Sequence, residues 1–140
     1  MKKLMLIVVA FSLFGCGGGG GGGSSSSSNT PSVSLSQLSG TQYVVTGNNM
    51  DGVAAIDLTI NYDSSTLSSP VVTDGAFVSG AIVGANTNNA GIISMGIIRA
   101  TAFSGSGQIA TISFTVSSGT VPGNVSLTST KLYDVNGSSI

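Results

Sequence analysis

Few side chains in this sequence are equipped for chemistry. It contains five Asp, no Glu, no His, no Trp and a single thiol, Cys16. General acid–base work needs paired titratable groups held at one site. The five Asp are scattered, and Asp63, Asp74 and Asp134 fall at turns or strand ends. Serine is abundant, but no His is available to activate one and no Gly-x-Ser-x-Gly elbow occurs. One cysteine cannot form a disulfide within a molecule. Asp134-Val135-Asn136-Gly137 has the opening of a calcium loop, but the acidic ligands such a loop needs further on are missing, so it reads as a turn. No catalytic residue, metal site or cofactor is expected, and the chain does not read as an enzyme. What remains is recognition through hydrogen bonds. Ala55, Asp57, Thr59 and Asn61 occupy alternate positions of one stretch, and Thr111, Ser113 and Thr115 of another. Together they are expected to form one flat, polar, weakly charged surface for a partner.

Two stretches position these residues. From Ile56 the sequence alternates strictly, with Ile56, Leu58, Ile60 and Tyr62 on one side and the polar set on the other. Period two over that length is a half-buried β-strand. Asp63-Ser64-Ser65-Thr66 then turns the chain, since Asp and Ser side chains bond the backbone of turns, and Leu67 plugs back into the core. Residues 108–116 alternate the same way, with Ala110, Ile112, Phe114 and Val116 inward. Further strands are expected over residues 32–38, 41–46, 71–72, 77–83 and 125–135, with Asn136-Gly137 as a hairpin-type turn. Residues 92–100 are apolar nearly throughout and read as a strand covered on both sides, with Arg99 at its solvated end. No useful helical periodicity follows Gly15. Many short strands separated by turn signals make an antiparallel β-sandwich.

The N-terminal part has a different character. Lys2 and Lys3 precede an apolar run from Leu4 to Phe14, too short to span a bilayer. It ends in Leu13-Phe14-Gly15-Cys16, which resembles the lipobox of bacterial lipoproteins, with bulky Phe14 where that motif usually has a smaller residue. The resemblance implies a signal peptide over residues 1–15, cleavage before Cys16, and a thioether-linked diacylglycerol on Cys16 with an amide-linked acyl chain such as palmitate. Each buried CH₂ contributes about 0.8 kcal/mol, and two or three chains make a stable anchor. Residues 16–32 form the lipidated start and a disordered Gly/Ser linker. The fourteen residues from Gly17 to Thr30 have a root-mean-square span of roughly 20 Å and a limit of roughly 50 Å. Without Lys2 and Lys3, Arg99 and Lys131 stand against five Asp, a net charge of about −3 that gives no footprint for nucleic acid.

Three segments carry a further resemblance. Gly52-Val53-Ala54-Ala55-Ile56-Asp57-Leu58-Thr59-Ile60-Asn61-Tyr62-Asp63-Ser64-Ser65-Thr66-Leu67 resembles the cohesin pattern of a strand followed by Tyr-Asp-Pro-x-x-Leu, with Ser64 where the pattern has Pro. Gly107-Gln108-Ile109-Ala110-Thr111-Ile112-Ser113-Phe114-Thr115-Val116 is similar to a later cohesin strand, and Leu132-Tyr133-Asp134-Val135-Asn136-Gly137 to the closing one. The resemblance implies a cohesin-like domain over residues 33–140, an antiparallel jelly-roll sandwich of about nine strands related in fold to cellulose-binding modules. It implies a membrane-anchored, non-catalytic module that docks dockerin-bearing proteins, a polysaccharide-degrading enzyme being one candidate, with Asp57 at an acidic contact position. Two alternatives stand beside it: direct carbohydrate binding by the sandwich, and a structural part in cell-surface assembly. A stacking platform for polysaccharide needs an exposed row of aromatics. Tyr62 and Phe114 point inward by periodicity, leaving few for such a row. The expected address is the cell envelope of an exporting bacterium, the outer membrane if Gram-negative, because Gly17 is not the Asp that retains lipoproteins at the inner membrane.

Overall fold

The computed structural model describes residues 29–140. The signal segment 1–15, Cys16 and the linker as far as Ser28 lie outside the described residues. Eight strands follow in order: β1 (Ser32–Ser39), β2 (Gln42–Asn48), β3 (Ala55–Tyr62), β4 (Leu67–Asp74), β5 (Ile82–Asn86), β6 (Ile92–Ile98), β7 (Gly107–Val116) and β8 (Val125–Tyr133). They form two four-stranded sheets, β1-β2-β7-β4 and β5-β6-β3-β8. Every pairing is antiparallel. The all-β sandwich is thus present, with eight strands among the described residues where about nine were expected.

The alternation of β3 is what closes the sandwich. Ile56, Leu58, Ile60 and Tyr62 are buried, while Asp57 and Asn61 are exposed. From the facing sheet, Tyr43 and Val45 on β2 and Ile109, Ala110, Ile112 and Phe114 on β7 complete the same core. Tyr43 meets Phe114 edge-on at a centroid distance of 5.9 Å, and Tyr62 lies tilted 5.0 Å from Phe114. Such pairs add specific geometry to the burial of large apolar area. Leu67 is fully buried, as the turn before it requires. That turn forms without proline. The Asp63 carboxylate accepts the Ser65 N–H at 3.0 Å, and the Asp63 carbonyl accepts from Thr66 and Leu67.

Three readings of the sequence are corrected. β6 is covered on one face only: Ile93, Met95 and Ile97 are buried, while Ile92 and Ile98 are exposed on the other side. Residues 77–83 are not one strand. Ala76–Val78 is a 3₁₀ turn, Gly80 takes a left-handed φ of 79°, and β5 begins only at Ile82. In β7, Ile109 is buried beside Ala110, against simple alternation. Val45 pairs with Ala110 but Thr46 pairs with Gln108, so Ile109 is the extra residue of a β-bulge. Its carbonyl accepts the Gly75 N–H at 2.7 Å.

Candidate functional site

The outer face of the β5-β6-β3-β8 sheet is laid out in rows by the strand register. Residues directly opposite one another in antiparallel strands point to the same face. The first row runs Ile82, Ile98, Ala55, Tyr133 across all four strands. The second runs Gly84, Gly96, Asp57, Lys131, and the third Asn86, Ser94, Thr59, Ser129. Ile92, Asn61 and Ser126 continue the pattern on the inner strands and β8. The first three rows therefore grade from apolar to polar, with one acid and one base facing each other in the middle row, and Ile92 returns an apolar side chain beyond them. Ile82 is 75% exposed and Ile98 55%.

Between these rows the surface dips. Gly84 and Gly96 are cross-strand partners and leave the centre of β5–β6 bare of side chains. Two adjoining depressions of about 530 and 440 Å³ share Asp57, Gly84 and Gly96. One opens toward Thr59, Asn86 and Ser94, the other toward Ala55, Ile82, Ile98 and Tyr133. On the polar side the Thr128 hydroxyl donates to the Thr59 carbonyl at 3.1 Å and lies 3.5 Å from the Asn61 side chain. It does so because the β3–β8 register slips between Thr59 and Ile60.

The structure brings Ala55, Asp57, Thr59 and Asn61 together on this face. It does not add Thr111, Ser113 and Thr115 to them. These three belong to β7 and lie on the outer face of the other sheet. There Thr111 has Val44 and Thr73 as neighbours, and Ser113 has Gln42 and Val71. The Gln108 side chain donates to the Thr111 hydroxyl at 2.8 Å. The single surface expected from the sequence is in fact two surfaces on opposite sides of the sandwich, whose sheets stack about 10 Å apart. Alternation told inward from outward but could not assign a strand to a sheet.

Sequence reasoning also missed Ile82, Ile98, Gly84, Gly96, Lys131 and Tyr133 as members of the face. The signal was available in part, since the Gly96 gap inside an apolar run marks a bare spot on a strand. Arg99 is not simply solvated: its guanidinium stands over the Phe103 ring at 5.5 Å, and Phe103 stacks on Phe77 at 5.2 Å. Of the aromatics, Tyr43, Tyr62, Phe103 and Phe114 are buried in the core. Tyr133 is the aromatic that lies in the rows of the outer face. Asp134 closes a turn, its carboxylate accepting N–H bonds from Asn136 and Ser138, both at 2.8 Å.

The family model of the Cohesin domain matches residues 41–139. Among solved structures, the chain is similar to a non-cellulosomal cohesin from the archaeon Archaeoglobus fulgidus, at 24% identity and a TM-score of 0.61 over 71% of this chain and 70% of that one. It is similar to the sixth cohesin of scaffoldin B from Acetivibrio cellulolyticus, solved in complex with a dockerin, at 19% identity and a TM-score of 0.65 over 78% of this chain and 89% of that one. A type I cohesin–dockerin complex from Clostridium thermocellum gives 21% identity and a TM-score of 0.67 over 80% and 92%. No curated protein matches the sequence.

Proposed function

The chain belongs to the cohesin family, and from that premise we propose that it is a non-catalytic docking module that captures dockerin-bearing proteins on the outer face of the β5-β6-β3-β8 sheet. The observation that carries this reading is the row of exposed Ile82 and Ile98 and half-buried Ala55 and Tyr133 beside Asp57. Contiguous apolar surface on a folded domain, bordered by polar residues, marks an interaction site. On the opposite face the apolar residues are interrupted by polar ones, Val44 pairing with Thr111 and Val71 with Ser113. Partners of this kind are found with the Acetivibrio and Clostridium cohesins. A polysaccharide-degrading enzyme is the class of cargo we assign to the captured protein.

The proposal extends to the N-terminal part. Cys16 carries the lipid, residues 17–30 are the tether, and the domain is displayed from the cell envelope. The Leu13-Phe14-Gly15-Cys16 pattern after a short apolar run supports this.

Affinity for dockerin modules of types I and II, measured by calorimetry, tests the docking face. Asp57→Arg and Ile98→Asp each place an unpaired charge within the contact and should cost about 2–5 kcal/mol. Their circular dichroism melts should stay unchanged, because both positions face solvent in the free domain. Thr111→Arg, on the other sheet, should capture dockerin normally. Wild-type affinity in Asp57→Arg and Ile98→Asp, or loss of it in Thr111→Arg, would place the docking face elsewhere.

A further inference from the structure

Gly84 and Gly96 face each other across β5 and β6 in the middle of the exposed sheet. Glycine weakens a strand relative to Ala, because it loses more conformational freedom on folding, and is depleted there. A pair in register needs a reason. The usual reasons are a left-handed φ, a bulge, or a neighbour too close for a Cβ. None applies here. Neither residue is among the glycines with positive φ. The β5–β6 register runs without a slip from Ile82–Ile98 to Asn86–Ser94. A Cβ on Gly84 would come no nearer than 3.9 Å to the Gly96 carbonyl oxygen, and one on Gly96 no nearer than 3.6 Å to the Asp57 carboxylate. Both are ordinary contact distances. Other glycines of the same molecule contrast with them: a Cβ on Gly75 would collide with the Gln108 carbonyl, and one on Gly107 with the Phe77 side chain.

The fold therefore does not need these two glycines, and the remaining use of a bare strand is to let something else come close. We infer that the Gly84–Gly96 trough seats a large apolar side chain of the docked partner, with its flanks against Ile82 and Ile98, and that these two glycines set which partners fit. The chemistry of the occupant follows from the row. Its charged half, Asp57 and Lys131, lies over β3 and β8, while its glycine half lies over β5 and β6 beside the aliphatic pair. An aliphatic or aromatic side chain fits the glycine half, and polar groups of the same partner meet Asp57 and Lys131. This inference rests on the docking reading and sharpens it.

Gly84→Val and Gly96→Val test it. Both fill the trough and raise strand propensity, so the melting temperature should hold or rise. Capture of whichever dockerin the wild type binds should weaken by roughly tenfold or more, the size expected when a packed central contact is blocked. Gly96→Ala should show a smaller loss. Wild-type affinity in a stably folded Gly96→Val overturns the trough while leaving the docking face intact. A lowered melting temperature in both Val variants also overturns it, since the glycines would then serve the fold. Absence of any dockerin capture by the wild-type chain overturns the docking reading and the trough together.

Discussion

Asp63 and Asp134 show what single carboxylates do in a chain with so few of them. Side-chain and backbone hydrogen bonds from Ser65 hold the Asp63 carboxyl below the ordinary carboxylate range, and the Ser138 N–H, followed by Asn136, does the same for Asp134. A lowered folded-state pKa means that ionised Asp stabilises the fold above the unfolded value and that this contribution is lost as pH falls through the lowered one. Asp134→Asn keeps the acceptor oxygen and removes the charge. It should melt below the wild type at pH 7, and the gap should close as pH drops below about 4. A gap that persists in acid would mean that the shape of the amide, not the charge, is responsible. The turn role of both residues was legible in the sequence, because Asp followed by Ser-Ser or by Val-Asn-Gly bonds its own turn. Arg99 was less legible: its partner Phe103 is four residues on, beyond the strand, and no periodicity links the two.

Among the elements, β3 and β7 were readable because each has one face on the core, and the alternation of β3, and of β7 from Ala110 onward, records that. The bulge at Ile109 was not, because Ile109 and Ala110 are both small enough or apolar enough to sit on either face. Only the slip between Val45 and Thr46 decides that both go in. Gly75 is the counterpart of that bulge. Its N–H bonds the Ile109 carbonyl, and its α-carbon lies so close to Gln108 that a methyl group has no room. Gly75→Ala must push β4 and β7 apart, and a loss of about 1–3 kcal/mol or more is expected from overpacking. Urea denaturation should show it as a lower midpoint at unchanged slope. β6 misled for a related reason. A run of Ile, Met and Gly looks buried on both sides, yet Ile92 and Ile98 face outward on the proposed docking face, a use for apolar residues that periodicity does not record.

For the whole molecule, the sandwich was legible in the sequence, because many short alternating stretches separated by turn signals follow Pro31. Which strands share a sheet was not legible, since pairing partners are chosen across long separations that local patterns do not encode. Thr111, Ser113 and Thr115 share the alternation of Asp57 in the sequence, yet the core lies between the two sheets that carry them. The proposed lipid anchor belongs to this scale as well. Cys16→Ala should move the full-length protein from the membrane to the soluble fraction on ultracentrifugation of expressing cells, with the domain's melt unchanged. Membrane retention of that variant would count against lipidation.

The strand order has a kinetic consequence. β2 must find β7, and β3 must find β8, with Ala55 pairing to Tyr133 across more than half of the described chain. Only β1–β2 and β5–β6 are local hairpins, and each sits at an edge of its sheet. Loop closure must therefore be completed before most of the stabilising contacts exist, which places refolding in the milliseconds-to-seconds range typical of β-sandwiches rather than in microseconds. Neither sheet can be completed until the segments bearing β7 and β8 are available. A chain emerging from a ribosome would thus hold the domain open until the segment bearing β8 had emerged, leaving its apolar strand faces in need of protection until then.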